Sequence, residues 1–60
     1  MIRVFFKREE QLHNAIVWLR RTFDYKLCPI YKRLPKGDVG MLEVSEYQAD
    51  ILLNTYETHT

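Results

Sequence analysis

The sequence predicts a small α+β domain of order β-α-β-β-α, in which a three-stranded sheet carries two helices packed on one face. Three observations predict it: alternation over residues 1–7, an apolar stripe at helical spacing over residues 12–23, and a helix-capping motif at Ser45 that opens a second stripe. A chain of 60 residues has room for one domain, 1–60. It opens on Met1 and reads as a complete short reading frame.

In the opening MIRVFFK, Met1, Arg3, Phe5 and Lys7 fall on one face and Ile2, Val4 and Phe6 on the other. That is the pattern of a half-buried strand. A helix is expected next, from about Arg8 to Phe23, with Leu12, Ala15, Ile16, Leu19 and Phe23 on one side. Glu9 and Glu10 sit in its first turn and Arg20 and Arg21 near its last, which suits the helix dipole at both ends. No Ser, Thr, Asp or Asn stands at its start to cap it.

Residues 26–33, KLCPIYKR, read as a second strand, placed at an edge or broken at Pro29, which has no N–H for a ladder. If the first two strands run parallel, the crossover between them is expected to be right-handed. Leu34-Pro35-Lys36-Gly37 reads as a turn and residues 38–44 as a third strand, with Gly40 marking a bulge or a close backbone approach. Ser45-Glu46-Tyr47-Gln48 is a capping box. The helix it starts is expected to run to about Glu57 with Ala49, Leu52, Leu53 and Tyr56 buried.

Size limits what such a domain can do alone. It buries only about 60% of the surface its unfolded chain exposes, so a staple or a partner helps. Cys28 is the one cysteine, which excludes an intrachain disulfide, and with His13 and His59 it does not have the spacing of a zinc site. No apolar run approaches the ~18 residues of a membrane span. Early charges (Arg3, Lys7, Arg8, Glu9, Glu10) argue against a signal peptide, and a lone thiol suits a reducing cytoplasm.

Charge is divided along the chain. All nine Lys and Arg residues lie in residues 1–36 with three acids, a balance of +6. Residues 37–60 carry five acids and no Lys or Arg, so the formal net charge is only +1. Between Arg20 and Lys36, cations alternate with Phe23, Tyr25 and Tyr31, a combination that suits phosphates and unpaired bases. The bland reading is that the two halves neutralise each other and the tyrosines line a small core. Trp18 lies about 100° from the centre of its helix's stripe and Val17 lies on the other flank, so this helix is apolar more widely than one sheet face requires. Ile51 and Tyr47 raise the same question on the second helix.

Catalytic chemistry is not indicated. Cys28 is flanked by Lys26 and Lys32, which favours a thiolate, but a small apolar strand residue is the commoner reading. His13, near Glu9 and Glu10, reads as solvated, and His59 as part of a frayed tail. Gly37-Asp38-Val39-Gly40 is no phosphate loop. No catalytic residue, metal ligand or cofactor site is expected.

The leading expectation is therefore a small, cytoplasmic, non-enzymatic protein-binding module that regulates or inhibits a larger protein, as a monomer or homodimer. Short reading frames among phage and mobile-element inhibitors and antitoxins offer an analogy of size only. The residues expected to carry binding are Val17, Trp18, Arg20, Arg21, Tyr31, Lys32 and Arg33. The alternative is a nucleic-acid or nucleotide binder using segment 20–36. A subunit of a larger assembly ranks third, and an enzyme last.

Overall fold

The structure, a computed structural model, describes residues 1–24 and 26–60. The opening alternation forms β1, Ile2–Phe6, with Val4 and Phe6 fully buried on one face. Helix α1 spans Glu9–Phe23 and buries Leu12, Ala15, Ile16 and Leu19. Its N-cap, Arg8, supplies no side-chain cap; the other end stops at Asp24, whose φ of 51° is left-handed and whose N–H donates to Arg20 O. Asp tolerates that conformation better than most residues.

Strand β2, Gly40–Val44, follows a long connection over residues 24–39, then α2, Glu46–Thr55, and β3, Thr58–His59. The order is thus β-α-β-α-β, and the sheet order β2-β1-β3. Both ladders are antiparallel, pairing Val4 with Leu42 and Phe5 with Met41 on one side of β1, and Phe5 with His59 on the other. The expected class holds, with three strands and two helices that bury their stripes in one core with Val4, Phe6, Leu42 and Val44.

Two expected elements are corrected. Residues 26–33 are not a strand. Only Ile30 pairs, exchanging two backbone bonds with Met41 at 2.8 and 2.9 Å along the outer edge of β2. Pro29 offers no donor, and Arg33, at a φ of 57°, turns the chain out of extension. With no strand there, the expected parallel crossover does not arise. The third strand comes instead from residues 58–59, where a frayed tail was expected. They occupy the second edge of β1, whose backbone groups would otherwise face no partner.

Smaller differences have local causes. The turn lies one residue later than expected, closed by Asp38 N–H donating to Pro35 O at 3.1 Å. Gly37 then takes the third position with a φ of 92°, which only glycine adopts without strain. The β1–β2 register runs unbroken through Gly40, so this glycine marks a close approach and not a bulge. A Cβ there would come within 2.5 Å of Leu12 Cδ2. The capping box forms in full: Gln48 N–H donates to Ser45 Oγ, and Ser45 N–H to Gln48 Oε1 at 3.0 Å. The buried face of α2 is Gln48, Ala49 and Leu52; it is rotated about 100° away from Leu53, which is 37% exposed. Tyr56 caps the helix and is half-buried.

Candidate functional site

Two surfaces stand out, on opposite sides of the sheet. The first lies between the helices. Trp18 sits on the flank of α1 that faces α2, and with Ile51, Thr55 and Tyr56 it lines a cleft of about 160 Å³. The width of the apolar arc on α1 follows from this: the sheet takes Leu12, Ala15 and Leu19, while Trp18 turns toward the second helix. Its ring meets Phe23 edge-on at 5.6 Å, and Phe23 meets Tyr47 in the same way at 6.4 Å. Trp18 remains half-buried and Tyr47 is 68% exposed, so this aromatic row runs from the core margin into solvent.

The second surface is the face of the sheet that no helix covers. Strand alternation places Arg3 and Phe5 of β1 there, opposite Glu43 and Met41 of β2. The backbone pairings set His59, Phe5, Met41 and Ile30 in one row across the sheet. Phe5 and His59 stack with centroids 5.2 Å apart. Beside this row runs a groove of about 350 Å³, floored by Phe5, Ile30 and Met41 and rimmed by Arg3, Lys32 and Arg33. Arg3 lies 3.6 Å from Glu43, whereas Lys32 and Arg33 form no ion pair among the described residues.

The residues expected to bind together are spread over these surfaces. Trp18 lines the helical cleft. Val17 is half-buried and Arg21 exposed on the outer side of α1. Arg20 is engaged within the fold, donating to Leu27 O at 3.1 Å. Tyr31 is 63% exposed and leans against α1 beside Leu12, His13 and Ile16. Only Lys32 and Arg33 reach the sheet groove. Tyr25 lies outside the described residues. Cys28 is exposed in the connection and is not a strand residue. Lys32 and Arg33 thus line the sheet groove while Arg20 turns to Leu27 O, and reading the sequence missed Arg3 and Phe5, whose alternation already set them apart from Val4 and Phe6.

A polar cluster lies at the edge of the sheet. The Asp38 side chain is wholly buried, with Oδ2 2.8 Å from His59 Nε2 and Oδ1 3.5 Å from Lys7 Nζ. The Lys7 contact has ion-pair distance without hydrogen-bond geometry. A His–Asp pair acts in catalysis when it activates a nucleophile. The hydroxyl of the adjacent Thr58 donates to Leu52 O at 3.0 Å. The His59–Asp38 contact fastens the last strand to the turn before β2. Nothing in the sequence pairs position 38 with position 59.

Among the described residues, no three His, Cys, Asp or Glu side chains are grouped to hold a metal ion, and no helix is long and apolar enough to cross a membrane. No protein-family model, characterised protein or solved structure matches the chain significantly.

Proposed function

We propose that this chain is a non-enzymatic binding module that docks on a larger protein through its helical side, with Trp18 as the anchor, and thereby regulates or inhibits that protein. One observation carries the reading: a half-buried tryptophan lines an open cleft between two helices, with an aromatic row leading from it to solvent. Tryptophans at such margins are the residue type most enriched among interface hot spots. The cleft suits an apolar side chain from the partner, since Ile51 and Tyr56 supply apolar walls and Thr55 a single hydroxyl. A cytoplasmic setting belongs to the same proposal and is supported by the one exposed, unpaired thiol.

A photo-crosslinking side chain at position 47, expressed in the native host, tests it. The expected result is one dominant crosslinked protein, identified by mass spectrometry and lost when Trp18→Ala is added. Purified Trp18→Ala should still melt cooperatively. Crosslinks that persist in Trp18→Ala, or that join only copies of this chain, would overturn the reading.

A further inference from the structure

We propose that the uncovered face of the sheet is a site for single-stranded nucleic acid, with Lys32 and Arg33 on the phosphates and Phe5 beneath a base. This surface lies across the sheet from the helical cleft, and the inference does not depend on the cleft having a partner.

Charge argues first for an anionic occupant. Three cations rim the groove against one acid, Glu43, and that acid stands beside Arg3. Lys32 and Arg33 are left exposed and uncompensated among the described residues. Of the five acids of residues 37–60, only Glu43 lines the groove, where it stands beside Arg3; Asp38 is turned to Lys7 and His59 and Glu57 to Arg8, while Glu46 and Asp50 lie on α2, across the sheet.

Backbone conformation argues next. Arg33 is held at a φ of 57°, a left-handed conformation that residues other than glycine adopt only at an energetic cost. The connection of residues 24–39 is long for a domain of this size, and long connections without strands of their own are commonly functional. Here the connection pairs once with β2, at Ile30, and carries the next cations onto the sheet face.

The floor then selects among anions. An acidic peptide needs cations and hydrogen-bond partners, but it has no use for a flat aromatic surface. Phe5, one ring face stacked on His59, lines the groove beside the cations and gives it an aromatic ring. Unpaired bases stack on such rings whatever their identity, while phosphates follow the cations. A duplex keeps its base faces within its own stack and offers Phe5 nothing.

Fluorescence anisotropy of the full chain with a short labelled oligothymidylate or oligouridylate, titrated at several salt concentrations, decides the matter. Binding should be measurable at low salt and weaken with a log–log slope of about −1.4 to −2, as for two or three phosphates. The double variant Lys32→Ala/Arg33→Ala should lose about tenfold or more in affinity and flatten the slope by about 1.4. Phe5→Leu should lose about fivefold or more with the slope unchanged. Arg8→Ala, which removes a cation paired with Glu57 and outside the groove, should bind as the parent does. Thermal melts accompany each variant, and Lys32→Gln/Arg33→Gln replaces any double variant that does not fold. The proposal is overturned by absence of binding at low salt, by an equal loss in Arg8→Ala, by equal affinity for duplex, or by displacement of the oligonucleotide by an equal concentration of oligoglutamate.

Discussion

His59 Nε2 stands 2.8 Å from Asp38 Oδ2, joining the final strand to the turn that precedes β2. The same histidine ring stacks on Phe5, so one side chain holds β3 both to the turn and to the central strand.

Removing that ring should therefore cost more than a substitution at a partly exposed site usually does. His59→Ala leaves Asp38 buried with only the looser Lys7 contact, and the expected loss is about 1–3 kcal/mol. The double variant with Asp38→Ala should lose less than the two single losses combined, with a coupling of about 0.5 kcal/mol or more. Urea melts of the four proteins measure it; additive losses would mean the pair contributes nothing.

Gly40→Ala tests the close approach of sheet and helix. The added methyl would fall 2.5 Å from Leu12 Cδ2, and Leu12 is itself buried against the core. Overpacking of this kind should cost about 1–3 kcal/mol. Shortening the neighbour with Leu12→Val should make the same methyl less costly, seen as non-additivity in thermal melts.

Neighbouring leucines on α2 should behave differently. Leu52 is fully buried, so Leu52→Ala should lose about 2–5 kcal/mol. Leu53 is 37% exposed, and Leu53→Ala should lose less than about 1 kcal/mol. Equal losses in denaturant melts would mean that the helix is rotated from the orientation described.

At the start of α2, Ser45→Ala removes the oxygen that accepts from Gln48 N–H. A loss of about 1 kcal/mol is expected. Gln48→Ala removes the reciprocal bond to Ser45 N–H together with a buried side chain, and should lose at least as much. Amide exchange in the first turn of α2 should quicken in both variants.

Local patterns carried most of this fold. Val4 and Phe6 were marked by alternation, Leu12 to Leu19 by helical spacing, and Ser45 with Gln48 by a motif whose two bonds both form. Relationships between distant segments were not legible. KLCPIYKR has the composition of a strand, yet whether it pairs depends on which edge of β2 it reaches and on Pro29. Residues 57–60 carry no strand signal beyond two β-tolerant threonines; they pair because β1 has a vacant edge nearby. The sheet groove was half legible: Lys32 and Arg33 stood out as charges, whereas Arg3 and Phe5 joined them only once β1 proved to be the central strand.

That central position of β1 bears on how the chain reaches its native state. β1 is made first, yet its partners are residues 40–44 and 58–59. Long loops must close before either ladder forms, so folding is expected to be slower than that of a helical bundle of this size. During synthesis α1 can coil as soon as it emerges. The strand before it waits, with Val4 and Phe6 uncovered, until β2 and α2 have followed. In that interval β1 is the segment a chaperone would meet, and the one through which crowded nascent chains would associate.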